Sequence, residues 1–473
     1  MPGISGFSAY LPPHRVNLAD WCDWTGQPAG KVAGVIGDSF RMAGPEQDVY
    51  ALAASAAVRL IEAYDVDASA VGMLVLGTES ASDNAAGAVI LRGMLDDYLA
   101  SRGRAPLAAD CEVPEIKHAC LGGIYGLKQA LRYLATDGAG RQAIVVSADI
   151  AEYARGSSGE ATQGAGAVAM LLEAEPRLLS VDLGAAGRAS RYRGADFRKP
   201  FARYPGQRTD QARPRDFPVF NGRYSTACYL DTVASAFDDM APRPDAAGAT
   251  DWDAVFLHRP YARMPETAWA MLCLRAWLAD DPHTLRAFCH EVGVDAVALA
   301  AELTPGRDIG PAGDIPLDAE RYPATTALIR AWRRREDYRD VVLGRLGPGQ
   351  AAMRACGNLY TGSLPAWLAA GLSEAAEQAE PGPRWLAIGY GSGDAAEVLP
   401  LTLVPGWRAV AGRIGFRAAL DGAVDLDQAG YEALHEGRMV NPAAGNGAFV
   451  IDHIGDRDEP GHVDAGIPRY AWA

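Results

Sequence analysis

Five short apolar runs, Met73–Gly77, Ala143–Ser147, Ala167–Leu172, Ala254–Leu257 and Leu386–Gly389, stand apart from longer Ala-rich amphipathic stretches. Runs this short and continuous read as strands buried on both faces, and their alternation with helices marks an α/β fold with a largely parallel sheet. The expected helices are Gln47–Ala63 after the Gly44-Pro45 turn, Gly122–Ala135 stopped by Asp137-Gly138, Ala262–Leu278, and Leu364–Ala379. A chain of 473 residues exceeds what one hydrophobic core serves, so two sizeable units or a fused pair are expected. Tyr192–Arg215, rich in Arg, Pro and Gly, reads as a surface excursion. Ala279–Arg345, with its Thr304–Ile315 Pro/Gly loop, reads as an elaboration on the core fold.

A formal net charge of -15 argues against general affinity for nucleic acid or an anionic membrane. The opening Met1-Pro2-Gly3-Ile4-Ser5-Gly6 lacks the order of a secretory signal, and no apolar run is long enough to span a bilayer, so a cytoplasmic location is expected. The cysteines Cys22, Cys111, Cys120, Cys228, Cys273, Cys289 and Cys356 are scattered and odd in number, with no CxxC pair. That pattern disfavours a disulfide framework and structural zinc.

Three polar side chains end apolar runs or open a helix. Cys120, in Lys117-His118-Ala119-Cys120-Leu121-Gly122-Gly123, precedes a helical stretch whose dipole favours thiolate, and Gly122 and Gly123 leave room for an acyl arm. Alone, a cysteine beside Ala and Gly is more often inert core. Glu79 follows Leu74-Val75-Leu76-Gly77-Thr78, at the strand edge where α/β sheets hold ligands and where partial burial keeps a carboxyl ready for general acid–base work. The alternative is a helix cap or a solvated loop acid. His258 leaves Ala254-Val255-Phe256-Leu257 in the same way, placed either to donate to a carbonyl or to be a satisfied polar residue. Two turns, Gly357-Asn358-Leu359-Tyr360 and Gly389-Tyr390-Gly391-Ser392-Gly393, are plain reversals or sources of N–H groups for an oxyanion.

Taken in order, five blocks resemble hydroxymethylglutaryl-CoA synthase, of the thiolase superfamily. They are Gly77-Thr78-Glu79-Ser80, Lys117-His118-Ala119-Cys120, Ser158-Gly159-Glu160-Ala161-Thr162-Gln163-Gly164-Ala165-Gly166-Ala167-Val168-Ala169-Met170, Phe256-Leu257-His258-Arg259-Pro260-Tyr261, and Gly357-Asn358-Leu359-Tyr360-Thr361-Gly362-Ser363-Leu364 continued by Gly389-Tyr390-Gly391-Ser392-Gly393. The resemblance implies a thiolase-like α/β fold, a five-layer αβαβα sandwich of two pseudo-repeated halves, 1–175 and 176–473, assembled as a homodimer. It implies Cys120 as the acylated nucleophile, Glu79 as general acid and base, and His258 at the acceptor thioester. Asn358 and Ser392 match positions of the acyl pocket, Tyr153 and Thr162 fall in active-site segments, and Pro260 and Arg263 count with the substrate-binding residues. No metal or redox cofactor is implied. The substrates implied are acyl-CoA or phosphopantetheine thioesters, the latter on an acyl carrier protein.

Departures from the family pattern surround an intact Glu79–Cys120–His258 set. His118 stands where the family commonly has Glu, Leu121-Gly122-Gly123 replaces a Tyr-Ala-containing stretch, Asn221 sits where Asp is usual, and Arg263 replaces a Lys. A shifted substrate is expected from these changes, so the reading spans a mevalonate-pathway enzyme and a specialised one that β-branches a carrier-bound polyketide. Arg188, Arg191, Arg193 and Arg198 form a candidate patch for an acidic carrier, against a solvated loop with scattered charge. The rivals are another cysteine-dependent acyl transfer, a decarboxylative Claisen condensation, a non-catalytic carrier-binding homologue, and a zinc site on His118, Cys120 and His290.

Overall fold

The structure, a computed structural model, describes residues 1–199, 217–240, 251–304, 306, 307, 309, 310, 316–378, 382–440, 447–459 and 461–473. A ten-stranded mixed sheet organises it, which corrects the expectation of a largely parallel one: three of its strand pairings are parallel and six antiparallel. In chain order its strands are β1 (Gly3–Tyr10), β2 (Val71–Thr78), β3 (Glu115–Lys117), β4 (Gln142–Ala151), β5 (Gly164–Glu173), β6 (Leu179–Val181), β7 (Gly187–Ser190), β8 (Ala254–Leu257), β9 (Arg384–Gly391) and β10 (Ala395–Leu403). Across the sheet they lie in the order β8-β9-β10-β6-β1-β5-β4-β2-β3, with β7 paired to β10 off this path. The main helices are α1 (Val49–Tyr64), α2 (Gly87–Ser101), α3 (Gly122–Ala135), α4 (Gly222–Met240), α5 (Arg263–Asp280) and α6 (Ser363–Glu377).

Side chains alternate across a strand, so a strand that is apolar at every position has to be covered on both faces. β2 is buried throughout. Its Met73 and Val75 enter one core with Leu127 and Leu131 of α3, while Leu74 and Leu76 enter a second with Leu52 and Ala56 of α1. β4 divides in the same way, Val145 to the first core and Ile144 and Val146 to the second.

Strand directions repeat on either side of the β1–β6 seam. Going one way, β1–β5 and β5–β4 are antiparallel and β4–β2 is parallel. Going the other, β6–β10 and β10–β9 are antiparallel and β9–β8 is parallel. Helix α3 lies between the two wings: Gly126 sits against Val75 and Val145, while Leu121 and Ile124 sit against Gly389 of β9. A buried Lys128–Glu397 ion pair ties the same helix to β10.

The close seat of α3 on β2 depends on Gly77, where a Cβ would stand 2.5 Å from the Gly123 nitrogen and 2.7 Å from the Gly122 carbonyl carbon. Backbone atoms cannot rotate away as a side chain can. Gly77→Ala is therefore expected to cost about 3 kcal/mol, read as a lowered urea midpoint. Gly122 and Gly123 serve this same packing, since a Cβ there would strike the Ile116 carbonyl oxygen at 2.7 Å and Ser147 Oγ at 2.0 Å. The expectation that these glycines make room for an acyl arm is corrected accordingly.

All five expected strands are present, Ala254–Leu257 with its expected bounds and the others longer. Helix α3 also keeps its expected bounds. Helix α1 starts at Val49 instead of Gln47 because the Asp48 side chain caps it, accepting the Ala51 N–H at 2.9 Å. Helix α5 runs Arg263–Asp280 and α6 runs Ser363–Glu377; Ala379, at the expected end of α6, lies outside the described residues. β1 and β10 were not expected.

The Tyr192–Arg215 excursion is not superficial where it is described: Asp196 is fully buried, and only 8% of the Arg193 side chain is exposed. Residues 200–215 lie outside the described residues, as do 305, 308 and 311–315 of the expected Thr304–Ile315 loop. The Ala279–Arg345 elaboration contains helices Pro282–Val292, Ala296–Leu303 and Pro323–Trp332, whose buried faces join the first core. Among the described residues no helix is long and apolar enough to cross a membrane.

Candidate active site

β3 ends at Lys117, and the chain turns through Ala119 and Cys120 into α3. Cys120 adopts φ +52°, the left-handed region, which costs a side-chain-bearing residue on the order of 1–2 kcal/mol. Strain of this kind persists only where the surroundings hold it. Here the Cys120 N–H donates to Glu79 Oε2, and the side chain packs with Ala151, Tyr153 and Tyr360, flanked by Phe220.

Burial pushes the Cys120 thiol well above its ordinary pKa, and the neighbouring Glu79 and Asp149 carboxylates push it further. The expected thiolate at a helix N-terminus is thus corrected. The sulfur lies two residues before the first helical position and faces negative charge, so it rests as a thiol.

Glu79 follows β2 directly and is 5% exposed. Its loop is clamped by Asp149, whose Oδ1 accepts from Thr78 Oγ1 (3.0 Å), the Glu79 N–H (2.9 Å), the Ser80 N–H (3.0 Å) and Ser80 Oγ (2.6 Å). The other oxygen of Asp149 accepts from the Thr361 N–H (3.0 Å) and Thr361 Oγ1 (2.5 Å). One carboxylate thereby fixes the Glu79 loop and the 358–362 turn to each other. Burial raises the Glu79 pKa, the Lys199 ammonium 3.0 Å away opposes that, and Asp149 adds to it.

Asp149 and Lys199 did not emerge from the sequence. The signal for Asp149 was a carboxylate at the end of an apolar strand, the same signal that marked Glu79. Asp149→Asn removes one acceptor oxygen and turns an amide donor toward groups that are themselves donors. It is expected to cost about 3 kcal/mol and to lower Cys120 acylation in parallel, checked by urea denaturation beside an acylation assay.

His258 ends β8, its N–H donating to the Ile388 carbonyl at 2.8 Å and its carbonyl accepting from Tyr229 Oη at 2.9 Å. Burial lowers the imidazole to about 3, so it is neutral across the physiological range, and among the described residues Nδ1 has no hydrogen-bond partner. Among the described residues no hydrogen bond, ion pair or ring contact joins His258 to Glu79 or Cys120. The link is indirect: the His258 ring stacks at 6.5 Å on Tyr390 of β9, and that strand ends against the Cys120 turn. A Cβ at Gly391 would lie 2.1 Å from the Ala119 carbonyl oxygen and 2.8 Å from His118 Cε1, which brings the Ser392 turn beside the Cys120 turn.

The remaining candidates divide. Tyr153 packs on Cys120, edge-to-face with Tyr360 at 6.2 Å and Phe220 at 5.7 Å, its hydroxyl pushed up to about 12 by burial. Thr162 and Pro260 line one narrow cleft with Ser39, Arg259 and Arg354. Asn358 Oδ1 accepts from the Tyr360 N–H (2.9 Å) and Ser363 Oγ (3.1 Å), and the N–H groups of Asn358 and Thr361 go to the Thr162 carbonyl and Asp149. The backbone N–H groups of that turn brace the site. In the Ser392 turn the Gly393 N–H goes to Asp196 (2.9 Å).

Arg263 pairs with Glu266 (3.0 Å) and donates to the Gly34 carbonyl (2.8 Å). Asn221 Nδ2 donates to the Ala195 carbonyl (2.5 Å), tying α4 to the Arg193–Asp196 segment. Of the arginine patch, only Arg193 is withdrawn from the surface, buried against Asp231 and Asp394. Arg191 and Arg188 are exposed and face Asp231 (3.9 Å) and Asp239 (3.8 Å), and Arg198 donates to Tyr192 Oη (2.6 Å). His118, Cys120 and His290 are not gathered as a ligand set; among the described residues that geometry belongs to Asp196, Cys228 and Asp394.

What the arrangement can do is hold an acyl group on Cys120 beside a buried, proton-accepting carboxyl. Comparison with known proteins points the same way. The family model for the N-terminal part of hydroxymethylglutaryl-coenzyme A synthase matches residues 2–176. A hydroxymethylglutaryl-CoA synthase of Enterococcus faecalis is 28% identical over 436 residues, covering 91% of each chain, and one of Ganoderma lucidum is 28% identical over 83% of this chain and 77% of its own. A solved structure of MvaS in complex with 3-hydroxy-3-methylglutaryl coenzyme A superposes with a TM-score of 0.75 at 27% identity, covering 100% of this chain and 99% of that one. The HMG synthase of the curacin biosynthetic pathway, solved with a holo donor-ACP, shares the fold with a TM-score of 0.72 at 19% identity over the full length of both chains. With the sequence blocks, the fold and the Glu79–Cys120 site in agreement, this chain is similar to hydroxymethylglutaryl-CoA synthases along nearly its whole length.

Proposed function

We propose that this protein is a condensing acyltransferase of the hydroxymethylglutaryl-CoA synthase type, joining an acetyl-derived enolate on Cys120 to the β-keto carbon of a second thioester. The observation that carries the reading is the contact of Glu79 with Cys120 inside one buried pocket. In the first step the Cys120 sulfur attacks the donor thioester, and its proton leaves with the departing thiol. Glu79, as carboxylate, then takes a proton from the acetyl methyl. The enolate carbon bonds to the acceptor's β-keto carbon, Glu79 returns its proton to the new alkoxide, and water cleaves the Cys120 thioester. Neutral His258 donates a hydrogen bond to the acceptor carbonyl without having to lose a charge.

The mirrored strand directions support the finer architecture, a five-layer αβαβα sandwich of two pseudo-repeated halves, 1–175 and 176–473. Glu79 after β2 and His258 after β8 then occupy equivalent strand ends. Tyr153, Asn358 and Ser392 shape the acyl pocket, and Thr162, Pro260 and Arg263 the approach to it. The working form is a cytoplasmic homodimer. One solved relative holds 3-hydroxy-3-methylglutaryl coenzyme A and another a donor-ACP, so the pantetheine arm belongs to CoA or to a carrier. Incubating the protein with acetyl-CoA or acetyl carrier and acetoacetyl thioesters of each kind, with products identified by mass, separates a mevalonate-type enzyme from a β-branching one. Absence of any condensed product from all four pairings overturns the proposal.

A further inference from the structure

We propose that Lys199 is a positioning residue for the base: its ammonium holds the Glu79 carboxyl ionised and aimed at the Cys120 turn. This inference rests on the reading of Glu79 as the base and deepens it. Lys199 Nζ stands 3.0 Å from Glu79 Oε1, while Oε2 accepts the Cys120 N–H, so both carboxyl oxygens are engaged from opposite sides. The Lys199 contact is an ion pair with a carboxyl that is itself 3% exposed. The ammonium also lies 4.3 Å from the centre of the Tyr360 ring, which itself packs on Cys120, and only 13% of the lysine side chain is exposed. A cation between an aromatic face and a carboxylate, largely out of water, is held in place by both.

The segment that delivers Lys199 is anchored. Asp196 accepts the Gly393 N–H at 2.9 Å, Arg193 is locked to Asp231 and Asp394, and Phe197–Arg198 pairs with Val219–Phe220. Among the described residues, the other titratable groups facing Glu79 are Asp149, Cys120, Tyr153 and Tyr360, and none of these is a cation. Left with them alone, a buried carboxyl keeps its proton, and a protonated acid cannot remove one from a methyl group. Lys199 opposes that retention, its charge working against the effect of burial.

The test uses full-length Lys199→Met and Lys199→Arg, with Glu79→Gln as reference, reading Cys120 acetylation by intact mass and condensation as a function of pH. Condensation rises with pH as Glu79 ionises. Without the ammonium, that rise is expected to move alkaline by about one unit, giving about a tenfold slower reaction at neutral pH, while Cys120 still acetylates. Lys199→Arg is expected to restore the native profile. A Lys199→Met profile superimposable on the native one overturns the proposal. Should Lys199→Met lower the thermal midpoint, the decision passes to Lys199→Arg: a native-like profile there supports the role, and a shifted one rejects it. Failure of the underlying reading looks different, because Glu79→Gln would then still condense.

Discussion

Glu79→Gln is expected to acetylate Cys120 at close to the native rate and then to stall, with condensation slowed by about a hundred- to ten-thousand-fold. Glutamine is nearly isosteric, and its carbonyl oxygen can still accept the Cys120 N–H, so the left-handed turn at Cys120 keeps its support. What is lost is the capacity to take a proton, together with the charge that faces Lys199. The donor thioester needs neither, because the thiol proton departs with the leaving group. The distinction separates reaction classes. A simple acyl transferase working through Cys120 would keep turning over in Glu79→Gln, and a decarboxylative condensation, whose carbanion comes from loss of carbon dioxide, would form its bond without this base. Single-turnover mass spectrometry of adduct and product reads both steps together.

Cys120→Ala is expected to form no acyl adduct and to lose turnover by about a million-fold, the scale seen when a covalent enzyme loses its nucleophile. Its stability should stay near native, since alanine meets the same φ +52° penalty as cysteine. Cys120→Gly tests whether the backbone is strained. Glycine enters the left-handed region freely, so this variant should be more stable than Cys120→Ala by about 1 kcal/mol, measured by urea denaturation, although equally inactive. Equal stability of the two would mean that the turn at Cys120 stores no strain. An adduct that survives in Cys120→Ala would place the acyl group elsewhere.

Much of the architecture could be read from apolar periodicity, where that periodicity was clean. Ala254–Leu257 and Gly122–Ala135 have the expected bounds because an unbroken apolar run and an amphipathic stretch with a clear stop leave little choice. β1 escaped notice because Gly3, Ser5, Gly6 and Ser8 dilute a strand that is buried at all eight positions. β10 escaped because Glu397 and Pro400 interrupt it; Glu397 is tolerated in the interior only by pairing with Lys128. The mirrored strand directions depend on pairings between distant strands, which periodicity does not report.

The site was legible in its reactive groups and not in what governs them. Glu79, Cys120 and His258 stood out as polar residues at the ends of buried elements. Asp149 has the same local appearance, yet its partners lie 71 and 212 residues away, and only folding shows that it clamps two loops. Lys199 sat in a segment whose Arg, Pro and Gly content suggests solvent, and the buried anchors Arg193 and Asp196 find their partners on α4 and after β9. The thiol's protonation was misjudged for a related reason. A helix dipole is a local feature, whereas burial and the carboxylates of Glu79 and Asp149 are products of the tertiary fold.

The pairing of an acyl-bearing sulfur with a proton-accepting carboxyl is tested most directly by one peptide. The protein is incubated briefly with an acetyl thioester in deuterated water, without acceptor, and the Cys120 peptide is then analysed by mass. An acetyl group on Cys120 with deuterium in its methyl, and an acetyl group free of deuterium in Glu79→Gln, is the expected pair of results. Acetylation of native Cys120 without deuterium uptake, or an acetyl group found on another residue, would contradict it.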